Sequence, residues 1–267
     1  MVRRPSRIFA LLFALALAAP VAAAQRNRDR DRDQDRDQDR DQPRETETVE
    51  RTVSLAPGGT VRLKTFSGRV NITGGSGNQV VIKAVRRASR QRLDDIKLEI
   101  TQSGNIVEID ANHRLVERKN DNVVSTDFDI QVPSQVKLDL KSFSAPITVT
   151  GVAGDAVIDG FSSEITLTDV AGPLRVKTFS GGVSLQARSW SDGDDLNVNT
   201  FSGDVSLQLP ENARGRIDFD SFSGTFRSDL PVTLATSNKR NFRGDLNGGG
   251  TTDFRLKTFS GDVNIRK

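Results

Sequence analysis

Seven serines stand directly behind seven phenylalanines. Ser67, Ser144, Ser162, Ser180, Ser202, Ser223 and Ser260 follow Phe66, Phe143, Phe161, Phe179, Phe201, Phe222 and Phe259. A serine hydroxyl becomes a nucleophile only with a base in hydrogen-bond reach. The chain has one His, His113, isolated in DANHRLVERKND, and no Cys. Seven hydroxyls and one imidazole do not make seven sites, so the serines are expected to be architectural and His113 a solvated loop residue. A single His and no Cys also leave zinc without a ligand set. No cofactor, no metal and no catalytic residue are expected.

Glycan chemistry needs less: paired carboxylates, or an acidic cluster for calcium, along one groove. The densest candidate is SWSDGDDLN, where the only Trp, Trp190, neighbours Asp192, Asp194 and Asp195. An indole beside carboxylates can stack on a sugar or frame an ion. The competing expectation is a polar loop that lengthens one repeat, and the acidic spacing matches no calcium loop. Asp155, Asp159, Glu164 and Asp169 fall near the repeated phrases, but no spacing selects a pair.

The elements that would position these residues follow from columns around each repeated Phe. Three residues before it stand Leu63, Leu140, Ile158, Val176, Val198, Phe219 and Leu256; five before it stand Val61, Leu138, Ala156, Leu174, Leu196, Ile217 and Phe254. Four residues after it stand Val70, Ile147, Ile165, Val183, Val205, Phe226 and Val263; six after it, Ile72, Val149, Leu167, Leu185, Leu207, Ser228 and Ile265. Apolar residues alternate with polar ones on both sides of the phrase, so each unit is a strand, a corner and a second strand. Only Ser228 breaks a column.

Successive phrases are 18, 18, 22 and 21 residues apart from Phe143 to Phe222, and the last gap, 37 residues, fits two turns with Phe242 of NFRGDLNGGG in the corner role. A period near 20 residues with the same residue type at the same offset predicts an all-β, single-stranded β-solenoid (β-helix-like), with about 18–22 residues and two short strands per coil. Equivalent residues then lie about 4.8 Å apart in neighbouring coils. The ring is expected to fill the wide end of the coil, so that Phe201→Ala costs roughly 3–5 kcal/mol. The serine hydroxyl is expected to close the corner on nearby backbone. Gly68, Gly181, Gly203, Gly224 and Gly261 would supply a positive φ, with Ala145 and Ser163 in the other two corners.

The remaining segments organise the chain. Arg3, Arg4 and Arg7, an apolar run from Ile8 to Ala24 and the closing Ala22-Ala23-Ala24 read as a signal peptide over residues 1–24. Residues 25–44 carry seven Arg and seven Asp and nothing apolar, and are expected to be a disordered, low-complexity spacer. The formal charge of +3 comes from the three leader arginines, so the mature chain is neutral. Neutrality gives no electrostatic case for nucleic acid or an anionic membrane, and no transmembrane segment is expected in the mature chain. The folded domain is placed at 45–267. Its part at 45–135, irregular and cap-like, has a turn at Pro57–Gly59, a hairpin about Ser103-Gly104-Asn105, and a loop or helical turn in RRASRQRLDD. The regular coils occupy 136–267, with the basic end of DVNIRK discouraging edge pairing.

The order VPSQVKLDLKSFSAPITVTGV, VKTFSGGVSLQ, VNTFSGDVSLQLP and LKTFSGDVNI resembles the bacterial putative adhesin family of β-strand-repeat proteins, a domain of unknown function on exported proteins. The resemblance runs from about Thr48 to Lys267. It implies a β-solenoid outside the cytoplasm, periplasmic or at the cell surface, some members acting beside stress-response regulators, and it carries no catalytic residue to transfer. The Phe-rich corners depart from the Val or Ile more usual in the family. The expected function is a non-catalytic cell-envelope adhesin or interaction module whose partner is an envelope polysaccharide or protein. The alternatives are a periplasmic accessory or sensor in envelope-stress signalling, acting through a protein partner, and a carbohydrate-active β-helix enzyme.

Overall fold

Alternation with one buried face commits each segment to a strand, and nearly every apolar column residue is buried. The computed structural model describes residues 44–114, 123–238 and 240–267, so the signal-peptide and Arg/Asp readings lie outside the described residues apart from Arg44. Arg44–Lys267 forms one unit around a main core that runs from Val53 to Ile265, with a small separate cluster of Ala88, Leu93, Ile96 and Val124. The chain begins with β1 (Glu45–Ser54), β2 (Thr60–Gly75), β3 (Gln79–Ala88), a short helix α1 (Arg90–Asp95), β4 (Ile96–Ser103), β5 (Ile106–Arg114) and β6 (Ser125–Pro133). Strand pairs follow: β7 (Lys137–Ser144) with β8 (Ile147–Thr150), β9 (Ala156–Gly160) with β10 (Ile165–Val170), β11 (Leu174–Ser180) with β12 (Val183–Ala187), and β13 (Leu196–Ser202) with β14 (Val205–Gln208). The last elements are β15 (Gly215–Ser221), β16 (Phe226–Ser228), β17 (Val232–Ser237), β18 (Asn241–Leu246), β19 (Asp253–Thr258) and β20 (Val263–Arg266).

Each coil gives the strand before its Phe to a leading sheet and the strand after it to a trailing sheet. The leading sheet runs β4–β5–β2–β7–β9–β11–β13–β19–β15–β18–β17. The trailing sheet runs β1–β3–β6–β2–β8–β10–β12–β14–β20–β16. The long β2 bends through both. The centre is parallel and in register, Leu174 beside Leu196 and Val183 beside Val205, as a β-solenoid requires. Towards both ends the pairing turns antiparallel: β1, β3 and β6 on one sheet, β4 with β5 on the other, and β15, β18 and β17 at the far end.

Two expectations fail on chain order. The 37 residues between Phe222 and Phe259 are not two further turns. They hold the β17–β18 hairpin, and Phe242 packs inside against Phe219 and Phe226 rather than at a corner. The final coil then returns, and β19 inserts between β13 and β15 while β20 inserts between β14 and β16. The basic C-terminal strand is therefore internal and guards no edge. Antiparallel β18 satisfies the free side of β15, which leaves the last strand pair the slot beside β13 and β14.

Candidate functional site: an exposed phenylalanine ladder

The repeated rings stack on one another outside the core. In spatial order Phe66, Phe143, Phe161, Phe179, Phe201, Phe259 and Phe222 form six consecutive contacts with centroids 4.5–5.0 Å apart. Beyond the first contact, tilted by 16°, the planes agree within 3–4°. These seven residues are 38–62% exposed, whereas Phe128, Phe219 and Phe254 are 0% exposed. The expected filling of the coil's wide end is thus overturned. The cause is parity: in six of the seven coils the residue before the Phe points inward, and the next buried position lies at +2 or +4. Phe and Ser therefore both point outward at the bend. Each interior ring covers its neighbours' faces and shows solvent its edge. The product is an apolar rim beside a column of exposed serines.

The hydroxyls that close the corners sit before the Phe, not after it. Ser142 Oγ donates to the Ala145 carbonyl at 3.0 Å and accepts from the Ala145 N–H at 2.9 Å. Thr200 Oγ1 donates to the Gly203 carbonyl at 3.0 Å, and Ser221 Oγ accepts from the Gly224 N–H at 2.7 Å. Of the serines after Phe, Ser223 alone among the described residues bonds backbone, donating to the Phe259 carbonyl at 3.4 Å. The column Thr65, Ser142, Thr178, Thr200, Ser221 and Thr258 was the available signal: small hydroxyls on the inward parity. Gly160 breaks it, and there the fully buried Ser163 fills the gap and reaches Ser142 Oγ at 3.2 Å. Glycine is needed at these corners mainly for close approach. Gly68 and Gly181 do have positive φ, but Gly203, Gly224 and Gly261 do not. A Cβ on Gly203 would lie 2.1 Å from the Gly181 carbonyl oxygen.

The acidic loop turns its side chains to contacts within the fold. Trp190 is buried and stacks on Phe254 at 5.6 Å. Asp192 pairs with Arg214 at 2.9 Å, and that hydrogen bond holds its carboxyl below the ordinary range. Asp194 accepts from the Ser191 N–H at 3.1 Å, and Asp195 from the Asp253 N–H at 2.9 Å. Each carboxylate thus serves the loop or the next coil. Asp155 pairs with Lys137 at 3.4 Å. Asp169 adopts φ 57° at a bulge in β10, where Arg188 grips it and lowers its pKa. His113 Nδ1 lies 2.9 Å from Glu99, both exposed on the β4–β5 hairpin. Among the described residues no three His, Asp or Glu side chains gather to hold a metal, and no helix is long and apolar enough to cross a membrane.

The outer faces differ in charge. On the leading sheet Lys64, Lys141, Lys177 and Lys257 stand two residues before the rings, with Asp159, Asn199 and Asp220 in the other three coils. On the trailing sheet the central strands present a polar face. One column runs Asn71, Thr148, Thr166, Ser184, Ser206 and Asn264, and the next runs Thr73, Thr150, Thr168, Gln186, Gln208 and Arg266. Arg266 is the one charge in these two columns, while Glu50, Lys83 and Asp129 continue the first column at one end and Arg227 at the other. Three residues after the ring, three of the seven coils carry a carboxylate and one carries Arg69, and each carboxylate bonds the next coil. Glu164 accepts from the Gly182 N–H at 3.3 Å, Asp204 from the Asp262 N–H at 2.9 Å and Asp262 from the Thr225 N–H at 2.9 Å.

Among solved structures, a putative cell adhesion protein from Clostridium sporogenes is similar at 15% identity and TM-score 0.47, over 82% of this chain and 99% of that one. A putative adhesin from Bacteroides fragilis aligns at 11% identity and TM-score 0.31, over 82% and 97%. A putative lipid binding protein from Parabacteroides distasonis aligns at 11% identity and TM-score 0.25, also over 82% and 97%. No curated protein matches the chain in sequence. Residues 64–266, nearly all of the two sheets, match the family described as Toastrack DUF4097, and the chain belongs to that family.

Proposed function

We propose that this protein is a non-catalytic adhesion module of the cell envelope that binds an uncharged, hydroxyl-rich polymer on its trailing-sheet face. The observation that carries this reading is the pair of in-register columns of Thr, Ser, Asn and Gln. They offer donors and acceptors at one fixed step, about 4.8 Å per coil, with hardly any charge to desolvate. A polymer lying along the stack meets the same groups at every step, so weak hydrogen bonds sum through multivalency. The Arg-apolar-Ala start supports export, with a mature chain from about Gln25 and the 25–44 tract as spacer before the folded domain.

Co-sedimentation of Arg44–Lys267 with envelope polysaccharide tests this. The unit pellets with the polymer fraction, and Thr148→Val/Thr166→Val/Ser184→Ala loses at least fivefold in binding while keeping its melting temperature. Binding that ignores those changes refutes the trailing-face reading. No pelleting at all moves the role to a protein partner in envelope signalling.

A further inference from the structure

The ladder is an unusual thing to leave in water. At 38–62% exposure and about 200 Å² per phenylalanine, the seven residues present on the order of 600 Å² of one apolar strip. That is the upper end of the largest patch on a typical monomer. Its flanks carry opposite net charge: four Lys against Asp159 and Asp220 on the leading-sheet side, and Glu164, Asp204 and Asp262 against Arg69 on the trailing-sheet side. Lys64, Lys141 and Lys177 have no carboxylate partner among the described residues, whereas Lys257 pairs with Asp220 at 3.2 Å.

We propose that the occupant of this strip is the ladder of a second copy of the chain, the two related by a twofold axis parallel to the stack. Area and charge both select this arrangement. Two ladders meeting rim to rim cover about 1,200 Å² in total, where stable interfaces begin, before the flanks add theirs. A twofold axis along the stack brings the basic flank of each copy against the acidic flank of the other. An axis across the stack would set basic on basic and acidic on acidic. In the parallel pair Lys177 stands one coil step from the second copy's Glu164 and Asp204, Lys141 one step from its Glu164, and Lys257 level with its Asp262. Four meetings are like-charged: Asp159 and Lys64 stand level with the second copy's Glu164 and Arg69, and Lys141 and Asp220 stand one step from its Arg69 and Asp262. The two polar trailing faces then point in opposite directions. If they bind polymer as proposed above, the pair bridges two strands; the pairing itself does not depend on that reading.

Sedimentation velocity on Arg44–Lys267, which has its own core, tests the pairing without any ligand. The wild type shows a concentration-dependent monomer–dimer equilibrium. Phe161→Ser/Phe179→Ser weakens it at least tenfold. Lys141→Glu/Lys177→Glu and Glu164→Lys/Asp204→Lys each weaken self-association at least tenfold, yet the two variants mixed form a heterodimer within about threefold of the wild-type affinity. A chain that stays monomeric at millimolar concentration overturns the proposal, as does a dimer indifferent to the Phe changes. Should the Glu164/Asp204 variant unfold, Lys141→Glu/Lys177→Glu decides alone: unchanged or tighter association refutes the opposite-flank geometry.

Discussion

Replacing Phe201 by Ala removes an interior rung of the ladder. Its ring lies 4.6 Å from Phe179 and 4.7 Å from Phe259, and the residue is 43% exposed. Of roughly 200 Å² per phenylalanine, about 110 Å² is therefore covered. At about 25 cal/mol per Å² this is near 3 kcal/mol as an upper bound. Residual compactness of the unfolded chain lowers it to about 2 kcal/mol. For a domain of this size that is a fall in Tm of about 4–8 °C. Phe222, 62% exposed with one stacked neighbour, should cost about 1 kcal/mol on the same reckoning. Phe254→Ala, deep in the core against Trp190, should cost about 3–5 kcal/mol. Urea unfolding of the three variants gives the ranking directly. A Phe201 loss equal to that of Phe254 would place the ring inside the coil; a loss below about 0.5 kcal/mol, the range of an unremarkable surface change, would mean the rings do not stack.

Further outcomes follow from the corners and the stacking order. Gly203→Ala should cost about 3 kcal/mol, because its Cβ meets the Gly181 carbonyl oxygen and the coils must part; Ser202→Ala beside it should change the unfolding free energy by less than about 0.5 kcal/mol. The Thr225 N–H, bonded to the Asp262 carboxylate, holds that group below its ordinary value of 3.8. The unfolded chain then binds more protons than the folded one in acid, so this stabilisation is present above about pH 4 and lost as pH falls through the lowered value. Asp262→Asn should lower the urea midpoint at pH 7 and flatten its decline towards pH 3; an unaltered pH profile would rule the contribution out. Because the chain has no native Cys, engineered pairs can report the order of coils. Ser202→Cys/Ser260→Cys lies on adjacent coils, within disulfide reach, and should oxidise readily. Ser202→Cys/Ser223→Cys is two coils apart and should not; the reverse yield would restore sequential stacking.

The columns made the coil legible because burial is periodic: every apolar residue at −5 and −3 is buried, as are those at +4 and +6 except the partly covered Phe226. Ser228, the one break, falls on the edge strand β16, where its hydroxyl donates to the Leu230 carbonyl at 2.8 Å instead of filling a core. The order of coils was not legible. Identical columns fit any neighbour, so nothing local tells β19 to enter between β13 and β15. Phe242 misled for a related reason. Phe242, Gly244 and Leu246 alternate inward as any strand would, and what separates them from a corner is the missing Ser after the ring. The orientation of the ladder was hidden because two consecutive outward residues break the period-two rule. Only the hydroxyls at −1, read as inward, would have turned the rings out. Trp190 beside three aspartates looked like a site because sequence proximity cannot show that the indole enters the core while the carboxylates face a loop.

The central claim is that seven rings lie at the surface while three others lie in the core. Hydroxyl-radical footprinting with mass spectrometry reads it most directly, on Lys141→Glu/Lys177→Glu, the variant expected to stay monomeric. Phe66, Phe143, Phe161, Phe179, Phe201, Phe222 and Phe259 should be oxidised, Phe222 fastest, while Phe128, Phe219 and Phe254 stay protected. Protection of the seven to the level of Phe254 would contradict the ladder and return the rings to the interior.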